Sequence, residues 1–379
     1  MRILPIASGK GGVGKSMFAA NLAVAMAQAG KKVVLADLDL GASNLHLIIG
    51  HRAPPVGIGS FLNDTKIDFN SLVADTDIPN LRFLPGDAEI PGSANLKANQ
   101  KNALARRLLS LDADILILDL GAGTHQSILD FFLLSGQGIV VTAPTVTATL
   151  NAYLFLKNAV FRLMYSSFSK GSEALKYLES LRKEGGSLQK LYVPKLMDEI
   201  ARVDPESHRK LKERLSFFRP RLVMNMIDDP KDAEKALKIR RSCAEYLDVQ
   251  LEHLGIIYRD SLQDTALSAR LPIILYKNQS IIAQAIYRIA DKILQTEEEG
   301  AILEGRTIEE SFQEANLEAE IDFQSRMGYV EDLLHCGALS VGELAEIVRS
   351  QQFEINQLRK ENLFYKSKLS KAMALGFTP

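Results

Sequence analysis

The stretch Ser8-Gly9-Lys10-Gly11-Gly12-Val13-Gly14-Lys15-Ser16 decides the fold of this chain. It contains the pattern G-x-x-x-x-G-K-[ST] between a short apolar run and the start of an amphipathic segment. Backbone N–H groups of such a loop curl around a polyphosphate, and the N-terminus of the following helix adds a favourable dipole. Lys15 is therefore predicted to neutralise the β- and γ-phosphates, and the Ser16 hydroxyl to bind Mg²⁺.

The glycines of this loop also fit G-x-G-x-x-G, the pattern of dinucleotide-binding folds, with Asp37 and Asp39 near the position of a ribose-binding acid. A dinucleotide site needs neither the Lys15-Ser16 pair nor a second Mg²⁺-type aspartate elsewhere. Because the chain has both, the sequence favours a nucleoside triphosphate.

Carboxylates end two predicted strands beside the loop. Asp119 closes the run Ile115–Leu118 and precedes Gly121-Ala122-Gly123, as expected of a Walker B aspartate that holds the Mg²⁺ water shell. Asp37 and Asp39 close another strand and are expected to face the same crevice. Hydrolysis of a γ-phosphate needs an ordered water more than a strong base. We therefore assign Asp39 to that water and Asp37 to outer-shell support of Mg²⁺.

Short apolar runs alternate with amphipathic stretches as far as about Gln295. This alternation predicts an α/β P-loop NTPase fold, with a mostly parallel sheet covered by helices on both faces. Several runs are apolar on both faces, as covered strands must be. The predicted strands are Ile3–Ala7, Lys32–Asp37, Leu81–Pro85, Ile115–Asp119, Ile139–Ala143, Leu222–Asn225 and Leu254–Tyr258.

The composition is that of an ordinary globular protein. The 379 residues include 45 Lys+Arg and 46 Asp+Glu, a net charge of −1 that excludes a dedicated basic nucleic-acid coat. With 46% hydrophobic residues the chain can bury a sizeable core. Two distant cysteines make no disulfide framework, and no apolar signal segment precedes the loop, so we expect a cytoplasmic protein.

The uncharged stretch Phe131–Leu156 is long enough to span a bilayer. Glycines at 136 and 138 and Pro144 interrupt it. We therefore interpret it as a helix end, a buried strand and a second helix rather than as a transmembrane segment.

The chain is predicted to consist of three consecutive parts. The body spans residues 1–296 and contains a helical insertion at about 165–217, whose basic cluster from His208 to Arg214 is either a solvated face or a binding patch. Residues 297–338 form an acidic linker, mobile or loosely helical. Residues 339–379 form a C-terminal helix with a heptad seam from Val341 to Ala372, which either builds a two-stranded coiled coil or packs onto its own domain.

The loop with Lys10, the segment Asp37–Asn44 (DLDLGASN) and the segment Asp119–Gly123 (DLGAG) resemble the MinD/ParA family of P-loop ATPases with a deviant Walker A motif. Within the family, the MinD and FlhG (FleN) branch is the most similar. The resemblance covers about residues 1–295. It implies ATP and Mg²⁺ as cofactors, a dimer that sandwiches two ATP molecules, Lys10 reaching the phosphates of the other subunit, and Asn225 contacting adenine.

The residues and the resemblance together give three sets of predicted site residues. The catalytic set is Lys10, Lys15 and Asp39. The nucleotide-binding set is Gly9, Lys10, Gly11, Gly12, Val13, Gly14, Lys15, Ser16, Met17 and Asn225. The metal-binding set is Ser16, Asp37, Asp39 and Asp119.

By this resemblance the chain is expected to be an ATP-driven dimerisation switch that positions the division site or sets flagellar placement and number. Its expected partners are a second copy and the inner membrane face, or a polar or flagellar protein, bound through the insertion and the C-terminal helix. One alternative is a ParA-like DNA-partition ATPase that binds DNA nonspecifically. Another is a nucleotide-regulated scaffold with negligible turnover.

Overall fold

The computed structural model describes residues 1–40, 43–52, 55–64, 66–86, 96–183, 192–298 and 308–335, with residues 342, 349, 352 and 365. The chain divides into two compact units, residues 1–321 and residues 322–379. In the second unit, the described residues are helical. The first unit contains the sheet and the candidate site, and confirms the predicted α/β class.

One eight-stranded sheet organises the first unit, in the order β3-β4-β2-β5-β1-β6-β7-β8. All neighbouring strands are parallel except β3 and β4. The strands are β1 (Arg2–Ser8), β2 (Val33–Leu38), β3 (Ala74–Asp75), β4 (Leu81–Leu84), β5 (Ile115–Ala122), β6 (Ile139–Thr142), β7 (Arg221–Ile227) and β8 (Glu252–Tyr258). The seven predicted strands are all present, and the short antiparallel β3 was not predicted.

Helices of the first unit cover both faces of this sheet, and the last of them continues into the second unit. In chain order they are α1 (Lys15–Gln28), α2 (Leu45–Ile48), α3 (Ile58–Asn63), α4 (Ala98–Leu109), α5 (Gln126–Phe132), α6 (Val146–Ser167), α7 (Glu173–Lys183), α8 (Val193–Val203), α9 (Pro205–Ser216), α10 (Glu234–Leu247), α11 (Leu262–Ser268), α12 (Ile273–Tyr276), α13 (Ile281–Glu298) and α14 (Ile308–His335).

The two faces of the sheet belong to different parts of the core. Alternate strand residues such as Leu4, Ile6 and Ile117 pack in one cluster with α1 and α13. Opposite them, Phe132 of α5 and Phe155 of α6 meet edge to face at 4.9 Å. Every residue of the central strand β5 except its last is buried, because helices lie on both sides.

The carboxyl ends of the parallel strands meet at one edge of the sheet, where α/β folds bind their ligands. The glycine-rich loop connects β1 to α1 there, and β2 and β5 bring Asp37 and Asp119 into paired register on neighbouring strands. Asn225 lies near the carboxyl end of β7. Chain topology thus gathers residues that are up to about two hundred positions apart in sequence.

The stretch 131–156 contains the end of α5, strand β6 and the beginning of α6, as predicted. Among the described residues, the helices are all too short or too polar to cross a membrane. The predicted insertion is helical in its described part, which includes the end of α6, then α7, α8 and α9.

The acidic segment after α13 differs from the linker expected at 297–338. It contains the 28-residue helix α14, whose first half belongs to the first unit. Phe312, Ala315 and Ala319 are buried at spacings of three and four residues. This narrow apolar stripe docks the helix despite its many glutamates. The predicted heptad seam lies almost wholly outside the described residues.

Candidate functional site

The loop between β1 and α1 has a backbone shape that two glycines make possible. Gly14 has φ +81°, and a Cβ there would lie 2.2 Å from Asn225 Nδ2. A Cβ on Gly9 would lie 2.1 Å from the backbone oxygen of Asn151 in α6. Any larger residue at either position would displace the loop. The loop therefore fits between α6 and β7 only because these two positions have no side chain. Its backbone N–H groups can then form a cradle.

Lys15 and Asp119 form a buried ion pair at the centre of the site. Lys15 Nζ lies 2.6 Å from Asp119 Oδ1, with the side chains 7% and 1% exposed. Burial raises the pKa of Asp119, while the positive charge of Lys15 and hydrogen bonds from Lys15 and Ser16 oppose this rise. The predicted phosphate-binding lysine and Walker B aspartate are thus in direct contact, with the Ser16 hydroxyl beside them.

Asp37 is buried and supports the loop that follows β2. Its Oδ1 accepts a hydrogen bond from the Asp39 N–H at 3.1 Å. Its Oδ2 accepts from the Ser43 hydroxyl at 2.6 Å and from the Leu45 N–H at 3.2 Å. Burial, together with the negative charge of Asp119, raises the pKa of Asp37 to about 6. These contacts give Asp37 a structural task in addition to the outer-shell metal role predicted for it.

Asp39 lies beyond the end of β2, over Gly121. A Cβ on Gly121 would approach Asp39 Oδ1 to 3.2 Å, so glycine gives this carboxylate its room. A cavity of about 220 Å³ opens beside Asp39 and is mostly apolar. Its lining residues are Leu38, Asp39, Leu40, Leu96, Leu120, Gly121, Ala122, His125, Ser127, Ile128 and Phe131. The arrangement leaves Asp39 at the wall of a small space next to the phosphate cradle.

Lys10 is exposed at the outer side of the loop. Its Nζ donates a hydrogen bond to Thr147 Oγ1 in the first turn of α6, at 3.2 Å. The buried Lys15 already supplies the cradle with a positive charge. Lys10 is therefore a second positive charge near the loop, and it lies outside the buried centre of the site.

Asn225 contacts the loop from the other side. Its side-chain amide is buried and donates from Nδ2 to the carbonyl oxygen of Val13 at 2.8 Å. The side chain of Met17 packs against the hydrophobic core, so only its backbone groups are available at the loop. Of the predicted residues, the loop, Asp119 and Asn225 are thus joined by direct contacts.

These groups fit a nucleotide with Mg²⁺. The backbone cradle and Lys15 match a polyphosphate in shape and charge. The Ser16 hydroxyl and the carboxylates of Asp119 and Asp39 are oxygen donors, which Mg²⁺ prefers, and Mg²⁺ usually completes its shell with phosphate oxygens and water. Bound Mg²⁺ would neutralise charge on the phosphates.

Sequence reasoning missed three contributors to this site. Ser43 holds Asp37, Thr147 receives Lys10, and Met226 approaches the loop beside Asn225. Ser43 lies within the Asp37–Asn44 segment and could have been found there as a capping hydroxyl. For Thr147 and Met226 the sequence carries no comparable signal, because their roles depend on how α6 and β7 meet the loop.

Comparison with known proteins places this site in a family. A protein-family profile described as "CobQ/CobB/MinD/ParA nucleotide binding domain" matches residues 4–294. The septum site-determining protein MinD of Synechocystis is 37% identical over 153 residues, which are 40% of this chain and 56% of that protein. The chain thus spans about half the length of this relative.

Solved structures agree in fold. The septum site-determining protein MinD from Pyrococcus horikoshii, complexed with Mg-ADP, is 19% identical with a TM-score of 0.53, covering 79% of this chain and 99% of that one. A chain of the MinC:MinD cell division protein complex of Aquifex aeolicus is 18% identical with a TM-score of 0.51, covering 78% of this chain and 96% of that one. Because the family match includes every residue of the site described above, the chain belongs to the CobQ/CobB/MinD/ParA nucleotide-binding domain family.

Proposed function

We propose that the chain is a Mg²⁺-dependent ATPase that works as an ATP-driven dimerisation switch in spatial regulation, placing the division site or flagella. The observation that carries the proposal is the buried Lys15–Asp119 pair at the foot of the glycine-rich loop. A buried cation joined to a carboxylate can exchange that partner for a phosphate, while the carboxylate turns to a metal-bound water.

The remaining site residues have roles that follow from their positions. The loop N–H groups and Lys15 hold the β- and γ-phosphates, and Ser16 and Asp119 hold Mg²⁺. Asp39, at the wall of the cavity beside the cradle, orients the attacking water. Asp37 keeps the loop after β2 in shape through its bonds to Ser43 and Leu45.

Dimerisation is proposed because Lys10 is exposed and does not serve its own phosphate cradle. Its hydrogen bond to Thr147 is a contact at the surface of the protein, which a stronger anionic partner can replace. Lys10 then reaches the phosphates held by a second copy. Lys10→Ala should spare nucleotide binding by the monomer and abolish the ATP-dependent dimer, which light scattering measures.

The biological role is proposed from relatives. The Synechocystis relative is named a septum site-determining protein, and the Aquifex neighbour is a MinC:MinD cell division complex. From these names and from the resemblance given above, we propose that this chain takes part in such positioning, at the inner membrane face or the cell pole. The DNA-partition alternative is less favoured, because two of the five basic residues in the α9 cluster have partners within the chain. Lys210 pairs with Glu206, and Arg214 donates to Ser166 and Ser167.

The decisive experiment is ATP turnover by the full chain and by Asp39→Ala. We expect slow, Mg²⁺-dependent hydrolysis by the wild type, and ATP binding without turnover by the variant. Asp75→Ala, an exposed aspartate of β3, is the matched control and should hydrolyse ATP normally. Absence of wild-type turnover, even with candidate partners present, would instead support the scaffold alternative.

The location of a fluorescent Asp39→Ala form separates the remaining alternatives. Trapped with ATP, it should stay at the membrane or cell pole. Coincidence with the nucleoid would contradict this and favour DNA partition.

A further inference from the structure

Strand β7 contains an irregularity at Met226. The register of β7 against β8 shifts between Asn225 and Ile227, so Met226 is an extra residue in the ladder. Its φ is +58°, a left-handed value that L-residues with large side chains rarely adopt. Met226 is also the single residue of β7 that is not buried. Such bulges re-aim side chains and are frequent beside active sites.

The bulge directs two consecutive side chains to the same place. In a regular strand, neighbours point to opposite faces of the sheet. Here Asn225 Nδ2 bonds the Val13 carbonyl, and a Cβ on Gly14 would lie 3.3 Å from Met226 Cε. Both side chains therefore lie against the glycine-rich loop, immediately before Lys15.

The sheet order shows which end of a nucleotide would meet Met226. Asp119 lies on β5, on one side of β1, whereas β7 lies on the other side, beyond β6. If the loop held the phosphates and Mg²⁺ lay near Asp119, the rest of the nucleotide would extend toward β7. The half-exposed Met226 stands at this far end, where the base is expected.

We propose that Met226 is a base-contacting residue, whose thioether packs on the purine ring of the bound nucleotide. The inference rests on the proposed ATP site and adds a specificity-determining residue to it. A methionine sulfur is polarizable and makes favourable contacts with aromatic rings. The left-handed backbone is the cost of presenting this side chain to the loop instead of to the helix layer.

The test compares Met226→Gly with Met226→Leu, using ATP and inorganic tripolyphosphate as ligands in titration calorimetry. Glycine removes the side chain and adopts the left-handed backbone without strain. ATP affinity of Met226→Gly should fall roughly three- to tenfold. Tripolyphosphate affinity should not change, because that ligand has no base. Met226→Leu, which keeps an apolar side chain, should retain most of the ATP affinity.

Asp248→Gly is the matched control. Asp248 is also left-handed, with φ +55°, but caps α10 at the end of the sheet opposite the loop. Asp248→Gly should bind ATP as tightly as the wild type, and only Met226→Gly should lose ATP affinity.

Two results would overturn the inference. In one, Met226→Gly binds ATP as tightly as the wild type. In the other, its affinities for ATP and tripolyphosphate fall equally, which would show that Met226 only shapes the loop through Gly14. If the wild type itself binds no ATP, the proposed function fails, and that failure is distinct from either result.

Discussion

At the carboxyl ends of β2 and β5, Asp37 and Asp119 lie on neighbouring strands, and Lys15 is paired with one of them. Beside β8, by contrast, Lys292 of α13 lies 2.7 Å from Glu318 of α14 and donates to the Leu254 carbonyl. The first region carries more buried negative charge than its lysine balances. In the second region, the positive charge of Lys292 is balanced by Glu318, and its ammonium group also bonds a backbone carbonyl. The comparison indicates that the first region can bind a cation such as Mg²⁺, whereas the second is a packed interface.

In both regions burial penalises the charged form of a titratable group, which raises the pKa of an acid and lowers that of a base. Burial and Asp119 raise the pKa of Asp37 to about 6. Burial lowers the pKa of His253, on β8, to about 3, and both ring nitrogens lack a hydrogen-bond partner among the described residues. His253 instead lies against the Phe312 ring at 4.9 Å. At neutral pH Asp37 is therefore largely ionised, whereas His253 is neutral.

The largest expected effect comes from Lys15→Ala. Its removal leaves the phosphate cradle without its cation, so ATP affinity should fall about a hundredfold or more. The free energy of unfolding should fall by about 3 kcal/mol, because Asp119 loses its buried partner. Calorimetry and urea unfolding measure the two quantities.

Lys176→Ala is the control for this change. Lys176 pairs with Glu173 on the surface, where both side chains are more than half exposed, so stability should change by about 0.5 kcal/mol or less. If Lys15→Ala bound ATP as tightly as the wild type, Lys15 would be a purely structural cation, like Lys292 at the β8 interface.

Phe312→Ala should break the interface and spare the site. The buried ring packs against His253 and beneath Arg240, so its truncation should cost about 3 kcal/mol in urea unfolding. ATP affinity should stay at the wild-type value. Leu317→Ala, at a 61% exposed position of the same helix, should cost about 0.5 kcal/mol or less. Equal effects of the two changes would show that α14 is not docked as described.

The smallest effect concerns pH. His253 has a folded pKa of about 3 against an ordinary 6.5, so the stability it contributes is complete above pH 6.5 and is lost as the pH falls toward 3. Asp37 has the opposite sign, because its folded pKa of about 6 exceeds 3.8, and its contribution is lost as the pH rises through 6. The two groups therefore oppose each other on acidification.

His253→Leu separates these contributions. Asp37 acts equally in both proteins, so their difference reports His253 alone. Between neutral pH and about pH 5, the wild type should lose about 2 kcal/mol more of its unfolding free energy than the variant does. Parallel pH profiles of the two proteins would mean that His253 is not buried in neutral form.

The sequence predicted the sheet and the carboxyl-edge site because both depend on local patterns. Apolar runs mark the buried strands, and a residue that ends a parallel strand must lie at the ligand-binding edge. The glycine-rich loop adds a motif whose shape is nearly fixed. The two-residue strand β3 escaped prediction because Ala74-Asp75 is too short to show any alternation.

What could not be predicted depends on contacts between distant segments. No pattern at Met226 indicates a bulge, and nothing near Lys10 indicates that Thr147 will accept its hydrogen bond. The docking of α14 was hidden by the glutamates around Phe312, Ala315 and Ala319, although their spacing carries a helical signal. A narrow apolar stripe is easily missed when charge is averaged over a whole segment.

The covered β8 strand has a consequence for how copies of this protein meet. On the far side of the sheet, β3 is only two residues long. On the near side, Ser311 of α14 accepts the His253 N–H, and the hydroxyl of Tyr258 donates to the Ala319 carbonyl. Open strand edges are templates for uncontrolled polymerisation. One edge strand of the sheet, β3, is very short, and the other, β8, is contacted by α14. Copies of the protein concentrated on one surface are therefore not expected to join edge to edge into a continuous sheet.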